Sequence, residues 1–265
     1  MSVYRNDNTA DFEQAVLSIF NQTCPPDEIV LVVDGPVPDA LYDMIHALEE
    51  KTGIMKVIQL EQNMGHAIAR QTGLEAARNE LCAMMDADDL AVPDRFEMQL
   101  KAFEQHPEVS VVGGLIHEFI DTTDNVVGTR SVPEHDCDIK EYLKSRCPMN
   151  LVTVMLKKSD IMAVGGYQDW YCEEDYYLWI RLTLGGYKFY NIQKNHVNVR
   201  VGADMYRRRG GWRYFRSEAR LQKYMLDNKV ISLPRYLYNV TIRWAVQVAM
   251  PNRLRGWVFQ TFARK

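Results

Sequence analysis

Short apolar runs alternate with segments of helical periodicity along the first hundred residues. Residues 29–33 and 81–85 are each five consecutive apolar residues, and an aspartate follows each run directly. Runs of this length predict buried strands of a parallel sheet. The segment 11–22 instead has the spacing of an amphipathic helix, with one apolar face made of Phe12, Ala15, Val16, Ile19 and Phe20. This alternation predicts an α/β fold, with right-handed crossovers between parallel strands and helices that flank the sheet.

The rest of the chain shows the same two periodicities. Residues 118–138 are polar and rich in turn formers, which predicts a variable loop segment. The opening segment, residues 2–4, is short for a strand and is consistent with the loss of residues upstream. The remaining predicted elements are helices over 40–51, from near Ala67, over 93–106 and from Ser159, and strands over 55–60, 109–114, 151–157 and 188–200.

Three carboxylates follow the second apolar run, in the order Asp86-Ala87-Asp88-Asp89. Open α/β sheets bind their ligands at the carboxyl ends of the strands, so this turn is a candidate site. Asp86 and Asp88 offer the hard oxygen ligands that Mn²⁺ or Mg²⁺ prefers, and such a cation neutralises a bound diphosphate. An acidic turn that caps the next helix, with Asp89 ahead of Pro93, explains the same residues without any chemistry.

A second candidate lies where the loop after the third strand enters a helix. Gly65 permits a tight turn, and the amino end of the helix from Ala67 points at the carboxyl edge of the sheet. A helix amino terminus attracts anions, and Arg70 lies one turn inside it. An ordinary joint between loop and helix, with Arg70 on the surface, fits the pattern equally well.

Five short motifs follow one another in a specific order and spacing. They are Ser2-Val3-Tyr4, Gln22-Thr23, Val32-Val33-Asp34-Gly35, Asn63-x-Gly65-x-x-x-Ala69-Arg70 and Asp86-x-Asp88-Asp89. Over about residues 1–210, this combination resembles the family 2 glycosyltransferases. The resemblance implies a GT-A fold and an inverting transfer from a nucleotide sugar. It is nearest to bacterial enzymes that build O-antigen or capsule repeat units on a polyprenyl diphosphate carrier.

The turn after the first apolar run departs from the family pattern. The usual Asp-Asp-Gly-Ser turn is Val33-Asp34-Gly35-Pro36 here, so only Asp34 remains to contact uracil. The nucleotide geometry implied by the family is therefore altered at this point. Carried onto this chain, the resemblance implies that Val3, Tyr4 and Asp34 contact the base and ribose. It places Arg70 near the nucleotide, and it implies that Asp86 and Asp88 hold the ribose and the metal.

Another cluster, Glu173-Glu174-Asp175, precedes a segment with a buried helical face. In the first turn of a helix the macrodipole favours negative charge, which explains the cluster without catalysis. The family has a Glu-Asp motif here in which the aspartate is the catalytic base. The resemblance therefore implies that Asp175 is the base, with Glu174 as the competing candidate that otherwise orients the acceptor.

Charge is distributed unevenly along the 265 residues. The net charge is −4, yet residues 229–265 contain seven Lys or Arg and no Asp or Glu. An acidic body without a groove-reading motif argues against nucleic acid as a partner, while a basic end suggests an anionic surface. Arg208 and Arg209 lie in a run of three arginines, which is either a solvated turn or a loop that closes over a diphosphate.

The chain changes character after the predicted catalytic domain. We predict a GT-A domain over 1–215, with a nucleotide-sugar half over 1–110 and an acceptor half over 111–215, and a helical extension over 216–265. In that extension Arg235, Asn239, Arg243 and Gln247 fall four apart and form a narrow polar stripe. The other positions are mostly apolar, so this helix must pack against either protein or an anionic membrane surface.

Composition predicts a protein that lies inside the cell. The chain shows no signal peptide and no apolar run of about 18–20 residues that could span a membrane. Five cysteines without metal-binding spacing predict buried free thiols in a reducing cytosol. With a basic, aromatic end, we expect a cytoplasmic protein that is peripheral on the inner face of the plasma membrane.

The resemblance implies an enzyme that moves a hexose from a UDP-sugar to a hydroxyl of a lipid-linked glycan, and the charge pattern and candidate carboxylates agree with it. A metal-dependent sugar nucleotidyltransferase is one alternative, but residues 4–8 offer none of the glycines that its phosphate loop needs. A catalytically silent subunit of a polysaccharide assembly complex is another. The presence of Asp88 and Asp175 argues against it.

Overall fold

The structure is a computed structural model that describes residues 1–202 and 210–250. Within those ranges helices and strands alternate, which confirms the α/β class. The predictions for Arg208 and Arg209, and for the basic and aromatic residues 251–265, lie outside the described residues.

The first part of the chain forms a three-stranded parallel sheet with β2 between β1 and β3. Helix α1 buries the predicted apolar face and begins where the Asn8 side chain accepts hydrogen bonds from two backbone N–H groups. Pairing places the carboxyl ends of the three strands at one edge. In order, the elements are β1 (Ser2–Val3), α1 (Thr9–Phe20), β2 (Ile29–Val33), α2 (Asp39–Thr52), β3 (Met55–Gln59) and α3 (His66–Ala76).

The second part of the chain builds a six-stranded sheet with helices around it. Its strand order is β4-β8-β6-β9-β5, and β7 pairs with β6 outside that path. The elements are β4 (Leu81–Ala83), β5 (Leu90–Ala91), α4 (Arg95–Gln105), β6 (Val109–Phe119), β7 (Val126–Arg130), α5 (Asp136–Leu143), a 3₁₀ turn (Leu151–Thr153), β8 (Met155–Lys157), α6 (Lys158–Ala163), α7 (Glu174–Leu184), β9 (Lys188–Arg200), α8 (Trp212–Asp227), α9 (Leu233–Trp244) and a π-helical turn (Ala245–Ala249).

Strand direction in this second sheet corrects the prediction that the apolar run 81–85 lies in a parallel sheet. Strand β8 is antiparallel to both β4 and β6, β5 is antiparallel to β9, and β7 is antiparallel to β6. Only β6 and β9 are parallel among the described strands of this sheet. The apolar run 81–85 is also shorter and less buried as a strand than predicted. An apolar run indicates burial, but it carries no information on the direction of the neighbouring strand.

The two sheets meet at a cavity of about 550 Å³. Met1, Ile29 and Val30 line it from the first sheet, and β4 lines it from the second. Its wall also includes Arg70 and Asp86, so the cavity lies directly behind the candidate site.

The C-terminal helices bear on two predictions. No helix among the described residues is long and apolar enough to cross a membrane. Helix α9 packs on the body of the protein through Asn239, whose side chain donates to the Lys144 carbonyl oxygen at 2.8 Å. The described part of the predicted extension therefore docks on protein.

All five cysteines are free, but Cys137 and Cys172 are exposed, so the prediction of burial is wrong for them.

A glycine in β6 gives a test of the packing between the long strands. A Cβ at Gly114 would lie 2.4 Å from Nδ1 of His196, which is fully buried in β9. We expect Gly114→Ala to lower the free energy of unfolding by about 1–3 kcal/mol, the usual cost of overpacking. Gly202→Ala is the control, since its Cβ would meet no atom of residues 1–202 or 210–250 within 4 Å. Urea unfolding measures both, and equal stability of the two variants would contradict this packing.

Candidate active site

Arg70 joins the two predicted carboxylate clusters. It lies in the second turn of α3 with only 10% of its side chain exposed. Its Nη2 lies 3.3 Å from Asp86 Oδ1, and its Nη1 lies 2.5 Å from Glu174 Oε1. Burial by itself lowers the pKa of Arg70, but the Asp86 and Glu174 carboxylates outweigh it and raise the pKa above its ordinary value. Residues more than a hundred positions apart thus share one ion-pair network.

Asp34 positions the helix that carries Arg70. It follows β2 and is buried, with Oδ1 accepting from the Met64 N–H at 2.6 Å and Oδ2 from the Gly65 N–H at 2.9 Å. The carboxylate therefore fixes the loop from which α3 begins. Its own backbone N–H donates to the Val3 carbonyl oxygen at 2.8 Å, which ties this turn to β1. Contacts of Val3, Tyr4 and Asp34 with a base stay predictions.

Two of the aspartates after β4, Asp86 and Asp89, make different contacts. Asp86 is half-buried and paired with Arg70. Asp89 is buried, and its Oδ1 accepts a hydrogen bond from the backbone N–H of Arg200 in β9 at 2.9 Å. The interpretation of Asp89 as a helix cap is wrong, because β5 intervenes and the N-cap position of α4 is Asp94.

A third strand end contributes a carboxylate that the sequence interpretation missed. Asp7 follows β1, and its Oδ2 accepts from the Tyr4 N–H at 2.9 Å. Burial raises the pKa of Asp7 to about 6, and the nearby Asp88 and Asp86 charges add to the rise. Burial and Asp86 likewise raise the pKa of Asp88. The rule that selected Asp34 and Asp86, a carboxylate just beyond a strand at the carboxyl edge, would also have selected Asp7.

This clustering of negative charge fits a divalent cation. Carboxylates with raised pKa values repel one another, and a cation between them would relieve that repulsion. Among the described residues, no three His, Cys, Asp or Glu side chains are placed to hold a metal ion. A cation at Asp86 and Asp88 would therefore take its remaining ligands from phosphate oxygens and water, as Mg²⁺ commonly does in nucleotide sites.

The second cluster begins α7. Glu173 is buried at the N-cap position, and Glu174 and Asp175 form the first helical turn. Burial raises the pKa of Glu174, Asp175 raises it further, and Arg70 opposes both effects. The macrodipole accounts for negative charge here, as expected, but it does not account for the ion pair between Glu174 and Arg70.

Asp175 is held on both of its oxygens. Its Oδ1 accepts from the Tyr176 N–H at 2.7 Å, and the Cys147 thiol lies 3.6 Å from Oδ2. Cys147 also lies 3.5 Å from the carbonyl oxygen of Met149. No sequence signal pointed to this cysteine, because the contact arises only when the loop before β8 meets the start of α7.

Removal of the Arg70 guanidinium tests the network. We expect Arg70→Met to destabilise the protein by about 3 kcal/mol, because it leaves the largely buried Glu174 carboxylate without its cation. Arg70→Lys should lie between this variant and the wild type, since one ammonium cannot fork to two carboxylates. Arg78→Met is the control, because Arg78 is 69% exposed in its pair with Glu28 and should contribute less than about 1 kcal/mol. Chemical unfolding that ranked Arg78→Met as the worse variant would refute this account.

Comparison with known sequences agrees with this arrangement. Residues 2–167 match the family described as Glycosyl transferase family 2. The chain is 37% identical over 265 residues to an uncharacterized glycosyltransferase of Haemophilus influenzae, which covers 100% of this chain and 98% of the relative. It is 31% identical over 260 residues to the amylovoran biosynthesis glycosyltransferase AmsE of Erwinia amylovora, with 98% of this chain and 96% of the relative covered.

A further relative has a detailed description. The Escherichia coli UDP-Gal:alpha-D-GlcNAc-diphosphoundecaprenol beta-1,3-galactosyltransferase is 31% identical over 265 residues, with 100% of this chain and 95% of the relative covered. The family model and these relatives span both carboxylate clusters between them, because the relatives extend beyond residue 167.

Solved structures support the fold. S. aureus TarS superposes with a TM-score of 0.64 at 14% identity, over 98% of this chain and 46% of that chain. The mannosyltransferase PcManGT from Pyrobaculum calidifontis, in complex with GDP-Man and Mn²⁺, superposes with a TM-score of 0.59 at 16% identity, over 96% of this chain and 70% of that chain. These neighbours are GT-A glycosyltransferases, and at such identities they show the fold alone. From its sequence match and its GT-A fold, the chain belongs to glycosyl transferase family 2.

Proposed function

We propose that this glycosyltransferase transfers a hexose from a UDP-sugar, with inversion, to a hydroxyl of a polyprenyl-diphosphate-linked glycan in the synthesis of a surface polysaccharide. The observation that carries the proposal is the Arg70 network, which links the carboxylates at the donor edge to the start of α7. The names of the Erwinia and E. coli relatives support the pathway and the lipid-linked acceptor. Such an acceptor would place the enzyme on the inner face of the plasma membrane.

The donor would lie across the carboxyl edge of the first sheet. Val3, Tyr4 and Asp34 border that edge, where the base and ribose are proposed to bind. Arg208 and Arg209 are proposed to contact the diphosphate, whose oxygens suit the guanidinium fork.

Asp86 and Asp88 would hold the divalent metal, Mn²⁺ or Mg²⁺. When bound, that cation supplies positive charge that stabilises the leaving diphosphate. Arg70 holds the Asp86 carboxylate in place through Oδ1, so the Asp86 oxygens are oriented before the donor arrives. Neighbouring carboxylates raise the pKa of Asp7 and of Asp88, so a bound cation would relieve charge repulsion at both side chains.

Asp175 is the proposed general base. Inversion in one displacement needs a base that takes the proton from the acceptor hydroxyl while its oxygen attacks the anomeric carbon. The bond from that carbon to the diphosphate oxygen breaks, and its electron pair leaves with UDP. Glu174 is committed to the Arg70 guanidinium at 2.5 Å, whereas Asp175 contacts a backbone N–H and a thiol rather than a cation, so we assign Asp175 to the acceptor hydroxyl.

A substitution at Asp88 tests the proposed metal site. We expect Asp88→Ala to abolish transfer and to remove the Mn²⁺-dependent part of UDP binding, because one of two carboxylate ligands is lost. Folding should be unaffected, since Asp88 lies in a turn and its charge repels the neighbouring carboxylates. Calorimetric titration with UDP, with and without EDTA, measures the effect, and Asp124→Ala in an exposed loop is the matched control. Full activity of Asp88→Ala, or activity of the wild type that EDTA leaves unchanged, would refute the proposed metal site.

Conservative substitutions of Asp175 and Glu174 separate the two candidate bases. Asp175→Asn keeps the shape of the side chain but cannot accept the proton, so kcat should fall by roughly 10²–10⁴-fold. Affinity for the UDP-sugar should change little, because the base faces the acceptor. Release of UDP and binding of the donor are measured for Asp175→Asn beside Glu174→Gln. If Glu174→Gln is inactive while Asp175→Asn turns over normally, the base is Glu174. Release of pyrophosphate instead of UDP would indicate nucleotidyl transfer.

A further inference from the structure

Helix α9 faces the protein with its polar side. Asn239 is buried, and its Nδ2 donates to Gln222 Oε1 of α8 at 2.7 Å. The Nε of Arg243 lies 3.3 Å from Glu218 Oε2 of α8, and its Nη2 donates to the Ser145 carbonyl oxygen at 2.7 Å. The polar stripe found in the sequence is thus the docking seam between this helix and the rest of the chain.

The apolar side of α9 consequently faces outward. Apolar residues of a helix normally face the protein core, so this orientation is the reverse of the usual one. We call the set of outward side chains on α9 the outer face. Their exposed fractions lie between 43% and 62%, and the residues are Leu233, Leu237, Tyr238, Ile242 and Trp244.

Trp212, at the start of α8, lies near the C-terminal end of α9, because the backbone N–H of the preceding Gly211 donates to the Gln247 carbonyl oxygen at 3.0 Å. It is 56% exposed, and the Arg216 guanidinium lies 6.0 Å from its ring centroid. Arg213 is also exposed, on the same helix turn. Aromatic side chains flanked by arginine are typical of segments that lie at the boundary between lipid and water.

Charge identifies the partner. Residues 228–265 contain seven Lys or Arg and no Asp or Glu; one of the seven, Arg243, is paired with Glu218 in the seam, and the other six give this end its positive charge. Two copies that met through their outer faces would bring these like-charged segments together, which disfavours self-association. An anionic lipid surface offers the complementary charge and an apolar interior for the exposed side chains.

We propose that the outer face of α9, together with Trp212, binds an anionic lipid bilayer, with the helix axis parallel to the membrane plane. This inference rests on the proposed lipid-linked acceptor and names the surface that brings the enzyme to it. The helix pair is also joined to the proposed base: Ser217 Oγ of α8 donates to the Tyr171 carbonyl oxygen at 2.6 Å, and Trp170 Nε1 donates to the Ser217 carbonyl oxygen at 3.2 Å. Docking of α8 and α9 would therefore fix the position of α7 relative to the membrane.

Vesicle flotation of the full chain tests the proposal. The wild type should float with vesicles of phosphatidylglycerol and phosphatidylcholine and much less with phosphatidylcholine alone. Ile242→Glu should lower the partition coefficient by about tenfold or more, because a charged side chain replaces one that enters the bilayer. Leu184→Glu is the matched control, since Leu184 and Ile242 are both 43% exposed and the two substitutions add the same charge. The double variant Leu237→Glu, Ile242→Glu should fall further.

Each other outcome would overturn the proposal. It fails if the wild type does not float, or if Ile242→Glu floats as well as Leu184→Glu. A wild-type dimer that Ile242→Glu separates into monomers, with flotation unchanged, would assign the face to a second copy. Thermal unfolding of each variant verifies that the chain is folded. Wild-type flotation without any transfer or hydrolysis of a UDP-sugar would refute the proposed function and support the lipid-binding surface. Transfer without flotation would refute the lipid-binding surface and support the proposed function.

Discussion

The ion pairs of Arg70 hold together parts of the site that the chain supplies separately. One guanidinium contacts Asp86 at the end of β4 and Glu174 at the start of α7. Because the Arg70 guanidinium and the Glu174 carboxylate are largely withdrawn from water and Asp86 is half-buried, each group stabilises the charge of its partner. The donor edge and the proposed base therefore keep a fixed separation, which a displacement reaction between two bound substrates requires.

Other contacts extend this constraint outward. Asp34 accepts hydrogen bonds from two backbone N–H groups and thereby fixes the start of α3, the helix that carries Arg70. On the opposite side, Glu218 of α8 pairs with Arg243 of α9, and α8 bonds to the segment that leads into α7. A path of polar contacts thus runs from the strand ends of the first sheet to the outer helix.

The sequence predicted local structure better than it predicted pairing. The apolar periodicity placed α1, α2 and β2 close to their observed positions, because burial of one face is a local pattern. It missed the antiparallel direction of β8, since direction depends on which strands meet in space. Asp89 looked like a helix cap because β5 is only two residues long. The contact of Cys147 with Asp175, and the inward direction of the polar stripe, likewise arise from tertiary packing.

Thermal unfolding with nucleotide sugars tests most directly whether this edge of the sheet binds a UDP-sugar with a metal. The ligands are UDP-glucose, UDP-galactose, their N-acetyl forms and GDP-mannose, each with and without Mn²⁺. A ligand at 100 times its Kd adds about 2.7 kcal/mol to the free energy of unfolding, which is a readily measured rise in Tm. We predict that at least one UDP-sugar raises the Tm and that Mn²⁺ is needed for the full rise. Stabilisation by GDP-mannose and by none of the UDP-sugars would contradict the account.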